Sequence, residues 1–284
     1  ESGIFYGWFV VIASFAAHLG EGGMLGYALG VFVIPFQEEF GWDRTTVSGA
    51  VTLGTLAGAF VSPVIGRLVD HRGPRLMMTL AGLGLGGVLA SLAFIQTLWH
   101  FYILYPIGRG IALSCLGLGS TVAVSNWFIR KRGRAIAMAL TGISIGGFVM
   151  PLLSQGLIDM VGWRWAWVGL AVFAWVMIVP PSWMWVRHRP EDMGLRPDGL
   201  PPRNDVNVSG SIASDSPGNV VDLEEVSWTL AQAIRTRVFW MLVVSIALAS
   251  LAISAVILHV IPHFRDVGIG EAQAASTLSL FALS

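Results

Sequence analysis

Charge is scarce in this sequence. Charged residues make up 12% of its 284 residues and hydrophobic residues 55%, where a soluble domain carries roughly 25% charged residues. A chain of this length and composition has more apolar surface than one soluble core can bury. The formal net charge is zero, which argues against a nucleic-acid partner. Cys115, inside an apolar run, is the single cysteine, so an internal disulfide and a cysteine-built zinc site are both excluded. No Walker-type glycine loop is present, and nothing in the sequence supports ATP-driven work. His100, His188 and His263 stand apart, without the spacing of a metal or nucleophile site. An enzyme is therefore the least supported class, and no catalytic residue, metal ligand or cofactor is expected.

What the sequence has instead is long apolar runs. Residues 45–65 and 76–95 contain no charged residue, and each is close to the ~20 residues that cross a ~30 Å hydrocarbon core. Between them lies a polar island, GRLVDHRGPR at 66–75, which reads as a tight basic turn. Taken in order, spans are expected at about 8–34, 45–65, 76–95, 100–124, 135–158, a sixth ending near 186, then 238–261 and the beginning of an eighth from 272. All should be helices, because backbone groups in lipid must be satisfied within the segment and no run shows the two-residue alternation of a barrel strand. Gly49, Gly54 and Gly58, and likewise Gly142 and Gly146, are spaced for close helix approach. Trp99 and Tyr102 read as interfacial anchors. A short acidic loop sets Glu38, Glu39 and Asp43 against Arg44, and a second basic island, NWFIRKRGR, occupies 126–134.

Residues 187–226 are different material, dense in Pro, Asp, Asn, Ser and Gly. They read as a mostly disordered linker, followed by a short helix near 228–235. The fold class expected is an all-α membrane protein in three parts: a six-helix bundle over 1–186, a linker over 187–236, and the start of a second bundle over 237–284. The sequence begins at Glu1 without Met and ends inside an apolar run, so a fragment of a longer protein is expected. With the N-terminus inside, Arg67, Arg72, Arg75, Arg130, Lys131, Arg132, Arg134, Arg187, Arg189, Arg196, Arg203, Arg235 and Arg237 are cytoplasmic. These are thirteen of the seventeen Lys and Arg residues, and the positive-inside rule then makes the linker cytoplasmic too. The expected location is a cytoplasmic (inner) or plasma membrane.

Six spans, a linker and further spans, with GRLVDHRGPR between the second and third, resemble the major facilitator superfamily of secondary transporters. Its loop signature is roughly G-x-x-x-D-R-x-G-R-R; Gly66, Asp70, Gly73 and Arg75 match it, while His71 and Pro74 depart from it. Within the superfamily the sequence is similar to monocarboxylate and oxalate/formate porters. The stretches carrying that likeness are YGWFVV (6–11), FGWDR (40–44), WFIRKRGRAIAMALTGISIGG (127–147), GWRWA (162–166), RPEDMGLRPDG (189–199) and HVIPHFRDVG (259–268). The resemblance implies a two-bundle machine working by alternating access on small organic anions, proton-coupled or by exchange. Alternatives are a transporter of a neutral or amphipathic solute and a membrane receptor or sensor that binds without moving its ligand. In the loop, Asp70, with Gly66, Arg72, Gly73 and Arg75, is read as a gate between access states; the alternative is that the basic residues only set topology.

Ionisable residues inside spans are functional candidates by default. Glu21 and Arg109 both fall toward the middle of the hydrocarbon core, and the resemblance places spans one and four at a central cavity. Arg109 would anchor a carboxylate, and Glu21 would neutralise it or take a proton. The alternative is a Glu21–Arg109 ion pair that only fastens the bundle. His18 lies one turn from Glu21 on the same face and is a candidate proton partner, or else a packing histidine. Tyr27 and Ser144 are candidate hydrogen-bonding residues. The expected partners are thus a small organic anion, protons and the lipid bilayer.

Overall fold

The structure is a computed structural model that describes residues 5–22, 28–199 and 230–249. Every regular element among these residues is helical. The chain divides into two compact units, parting after Pro202. In the first unit the chain forms α1 (Gly7–Gly22), α2 (Leu29–Phe40), α3 (Arg44–Arg72), α4 (Pro74–Leu92), α5 (Leu98–Gly110), a π-helical segment (Ile111–Gly117), α6 (Leu118–Trp127), α7 (Arg132–Val161) and α8 (Trp163–Trp185). Of the second unit, α9 (Leu230–Ile234) and α10 (Arg237–Ala249) are described. The former falls where a short helix is expected.

Among the described residues, five helical stretches are long and apolar enough to cross a membrane, with α5, the π segment and α6 counting as one, Leu98–Trp127. Phe60 and Val64 on α3, Leu152 and Met160 on α7, and Val176 on α8 are exposed. Apolar side chains strung along long helices in this way would be a liability in water and are the ordinary outer surface in lipid. The chain is an integral, multi-pass membrane protein.

Polarity and helix ends do not coincide in this fold. The island 66–75, expected as a turn, is helical through Arg72: it forms the last two turns of α3. Only Gly73 breaks the chain, with φ +82° and ψ 153°, and Pro74 starts α4 at the first helical position, where its missing N–H costs nothing. At the second basic island the helix resumes at Arg132. The acidic loop is likewise shorter than expected, since α2 runs through Glu38 and Glu39 to Phe40. Asp43 caps α3 by accepting from the Thr46 N–H at 2.8 Å. Hydrogen bonding from the Thr46 side chain, together with that from its backbone N–H, holds the Asp43 carboxyl below its ordinary pKa.

Small residues set the helix contacts. A Cβ on Gly142 of α7 would collide with the Phe15 carbonyl oxygen of α1, so these two helices pack backbone to backbone. On α3, a Cβ at Gly54 would lie 2.9 Å from Arg109 Cβ and 3.1 Å from Pro106 Cα of α5. Two aromatic clusters close the ends of the unit. Phe36, Phe40, Trp42, Phe101 and Trp163 meet at one; Phe5, Tyr6, Trp127 and Phe128 meet at the other.

Residues 187–199 form turns held by specific bonds, in contrast to the expected linker. Asn126 Nδ2 donates to the His188 carbonyl at 3.1 Å and Trp127 Nε1 to the Arg187 carbonyl at 3.2 Å. Asp198 accepts from the backbone N–H groups of Ile129, Arg130 and Lys131 at 3.0, 2.6 and 3.2 Å, which binds this stretch to the α6–α7 connection.

Candidate functional site

Position i, i+3 on a helix brings His18 and Glu21 together on one face of α1. His18 Nδ1 stands 2.9 Å from Glu21 Oε2, and both side chains are largely buried. The other ring nitrogen, Nε2, is 2.8 Å from the Ser120 hydroxyl of α6. Ser120 Oγ in turn lies 3.0 Å from the Gly117 carbonyl oxygen, and its own carbonyl accepts from the Ser14 hydroxyl at 3.3 Å. The Glu21 carboxylate lies against Gly117, the last residue of the π segment: a Cβ there would sit 3.0 Å from Oε1. Glycine is thus what lets the carboxylate reach the fourth span. π turns are rare and concentrate at functional sites.

This chain of groups can hold one extra proton without orphaning a polar atom. Ser120 has one hydroxyl proton and two acceptors within reach, His18 Nε2 and Gly117 O. With a neutral imidazole protonated on Nδ1, that N–H donates to Glu21 and Ser120 donates to Nε2. With the imidazolium, Nε2–H donates to Ser120 Oγ and the hydroxyl turns to Gly117 O. Both states are satisfied, which a buried ionisable pair requires.

Arg109 lies elsewhere on the same span. Its Nε donates to Thr55 Oγ1 of α3 at 3.1 Å, and the guanidinium also hydrogen-bonds Tyr105. It is offset from Gly117 by eight residues, roughly 12 Å at 1.5 Å per residue. The Glu21–Arg109 ion pair considered from sequence is not formed: among the described residues the ionic partner of Glu21 is His18. The reason is local, since a histidine one turn away is already within reach whereas Arg109 is held against α3.

The other candidates are dispersed. Ser144 is half-buried on α7, and Tyr27 lies outside the described residues. Asp70 is exposed on the last turns of α3 with no partner among the described residues, and a Cβ on Gly66 would meet nothing within 4 Å. No neighbouring helix approaches Gly66 closely within this unit. Arg75 is engaged instead with α8, its Nε donating to the Trp183 carbonyl at 2.9 Å and its guanidinium lying 4.2 Å over the Trp183 ring. Ser120 and the π segment were not legible as site elements. Ser120 is one serine among several in apolar runs, and nothing in its neighbours indicates that it faces α1.

Three known proteins illustrate what this chain is similar to. Monocarboxylate transporter 13 of Bos taurus is 26% identical over 281 residues, 98% of this chain and 59% of the relative. MFS-type transporter pytF of Aspergillus terreus is 24% identical over 284 residues, 98% of this chain and 85% of the relative. The Fujikurins efflux protein of Gibberella fujikuroi is 25% identical over 163 residues, 56% of this chain and 34% of the relative. The chain thus spans about six tenths of the bovine relative's length. The family model described as Major Facilitator Superfamily matches residues 7–284, and with an all-helical bundle of membrane-crossing length beneath it, the chain belongs to the Major Facilitator Superfamily, among transporters rather than enzymes.

Proposed function

We propose that the protein carries small organic anions of monocarboxylate type across the membrane by alternating access, with proton coupling or exchange. The observation that carries this reading is the buried Glu21–His18–Ser120 relay, which joins the first span to the π segment of the fourth and has two satisfied protonation states. In this reading Glu21 and His18 take the coupled proton, and Arg109, with Tyr27 and Ser144 as hydrogen-bonding candidates, anchors the carboxylate. Asp70, with Gly66, Arg72, Gly73 and Arg75, gates the end that becomes cytoplasmic. Placing the N-terminus inside assigns thirteen of the seventeen Lys and Arg residues to the cytoplasmic side, and the positive-inside rule favours that orientation, with a cytoplasmic linker. The organisation in three parts, 1–186, 187–236 and 237–284, belongs to the same proposal.

The test is uptake of labelled acetate, pyruvate and lactate into proteoliposomes bearing the whole protein, with and without an imposed pH gradient. Uptake that rises with the gradient in the wild type, and loses that dependence in Glu21→Gln while exchange persists, is the expected result. Gradient-driven accumulation unchanged in Glu21→Gln overturns the proton assignment, and no movement of any carboxylate overturns the substrate class. Arg109→Gln is expected to weaken substrate binding at least ten-fold with the fold intact; unchanged affinity assigns Arg109 to the α3–α5 contact alone.

A second reading has its own support, since relatives named as an MFS-type transporter and as an efflux protein match at similar identity. In that reading the solute is amphipathic and leaves the cell. Extrusion of an uncharged amphipathic dye by the same proteoliposomes, unaffected by carboxylates, selects it.

A further inference from the structure

At the basic end of the first unit a pocket of about 370 Å³ opens between the α3–α4 turn, the end of α8 and the turns that follow it. Arg72, Arg75 and Arg187 line it with His188, and Asp192 is the one acidic residue of the lining. Leu76 and Trp183 supply its apolar wall. Asp192 is already in use, accepting from the Arg189 backbone N–H at 3.2 Å. Arg75 spends one donor on the Trp183 carbonyl, which leaves four of the five that a guanidinium carries. Arg72 and Arg187 have no partner among the described residues.

The pocket is shaped by local structure, not by chance proximity of long side chains. Gly73, at φ +82°, lets the chain turn and leaves room for the imidazole: a Cβ there would sit 3.1 Å from His188 Nδ1. His188 is pinned from the other side through its carbonyl by Asn126. Its Nδ1 is buried with no hydrogen-bond partner among the described residues, a condition that native structures rarely leave unanswered. The Arg75 guanidinium lies over the Trp183 ring. Three guanidinium groups against one committed carboxylate leave an excess of two positive charges, more than one carboxylate ligand neutralises. A phosphate monoester carries about −1.5 to −2 charge at neutral pH and several acceptor oxygens, and planar guanidinium forks match phosphate geometry.

We propose that this pocket is a binding site for a phosphate group, formed by Arg72, Arg75 and Arg187 around the Gly73 turn and separate from the relay in the membrane. Free phosphate offers both this charge and these oxygens, and the phosphodiester of an anionic lipid headgroup offers the acceptor oxygens with a single negative charge. Trp183 and Leu76 beside the arginines give a lipid's glycerol and first methylenes an apolar surface to lie on, as interfacial tryptophans do. The site does not depend on which solute is transported.

Native mass spectrometry of the purified whole protein with dioleoyl phosphatidylglycerol or dioleoyl phosphatidylcholine measures the lipid source, and calorimetric titration with inorganic phosphate measures the free one. The wild type is expected to retain phosphatidylglycerol at least ten-fold better than phosphatidylcholine, or to bind inorganic phosphate saturably. Arg72→Gln with Arg187→Gln should remove either signal, while Arg130→Gln with Arg134→Gln, an equal loss of charge outside the pocket, should not. Retention of phosphatidylglycerol alone assigns the site to lipid; saturable inorganic phosphate assigns it to a soluble ligand. Equal retention by both double variants and the wild type, without phosphate binding, overturns the proposal. Should the pocket double variant lose its fold, Arg187→Gln alone carries the test, with a loss of about three-fold expected and no change overturning it.

Discussion

At the end of the unit where α2 meets α8, Arg164 donates to the carbonyls of Ala93 and Ile95 at 2.9 and 3.0 Å and to Glu39 at 2.6 Å, and Glu39 also accepts from Trp163 Nε1 at 2.7 Å. At the opposite end Arg67, Asp70, His71 and Arg72 project from the last turns of α3, exposed and without partners among the described residues. The first end satisfies Arg164 and Glu39 internally, whereas the second leaves these four side chains of α3 to solvent or to another surface. The difference teaches what each end does: the first fixes helix ends in register, and the second costs little to keep open because exposed charges stay solvated. Magnitudes decide which bonds matter at the closed end. The Arg164–Glu39 pair is more than a third exposed on both sides, and such pairs contribute at most about 1 kcal/mol. The bonds from the guanidinium to the carbonyls that end α4 are charge-assisted, of the kind that contributes about 1.5–3 kcal/mol.

The largest effect should come from Arg164→Ala, which strips those carbonyls of their donor. Unfolding in detergent should show a loss of roughly 1–3 kcal/mol, against less than about 0.5 kcal/mol for Arg72→Ala; equal losses would erase the contrast between the ends. Next comes the ion pair itself. The hydrogen bond from Arg164, with Trp163 adding to it, holds the Glu39 carboxyl below its ordinary pKa of 4.5. A carboxyl whose folded pKa is depressed adds stability above its unfolded pKa and loses it as pH falls through the folded value. The wild type should therefore lose thermal stability below about pH 4.5 more steeply than Glu39→Gln, by under about 1 kcal/mol given the exposure, and parallel melting curves from pH 6 to pH 3 would contradict this. The smallest stability effect belongs to Asp70→Asn, within about 0.5 kcal/mol. If Asp70 gates, that variant changes transport rate with the melting temperature fixed, and a coupled fall in both would assign it to the fold.

How much of this was legible in the sequence depends on the kind of feature. The second to sixth spans were legible because a run of apolar residues long enough for lipid has few other readings, whereas the first, expected over 8–34, is described as α1 and α2, and the spans expected over 238–261 and from 272 lie largely outside the described residues. The Gly54 stripe was legible because a missing side chain has one steric consequence. Helix ends were not. The charges of GRLVDHR mark where a span leaves the hydrocarbon, but nothing in residues 67–72 stops a helix; the stop is Gly73 followed by Pro74. Polarity misled in the same way at 187–199, where side-chain bonds to backbone groups from Asn126, Trp127 and Asp198 outweigh a disordered composition. In the candidate site, the His18–Glu21 pairing followed from spacing on one helix, whereas Ser120, the π segment and the seat of Arg109 beside Thr55 depend on which faces of separate helices meet. Periodicity within one element does not carry that information.

The two acceptors of the Ser120 hydroxyl also bear on time. Switching between them needs only rotation about one side-chain bond, a picosecond-to-nanosecond event, while rearrangement of packed helices takes microseconds to milliseconds. Once His18 gains or loses a proton, the hydroxyl therefore settles into whichever of the two hydrogen-bonding patterns that state requires, at least about a thousand times faster than the bundle rearranges. Any influence of pH through this relay acts by setting the populations of those patterns before the helices move, and Ser120→Ala, which removes the hydroxyl, would leave the charged imidazole to be solvated by Glu21 alone.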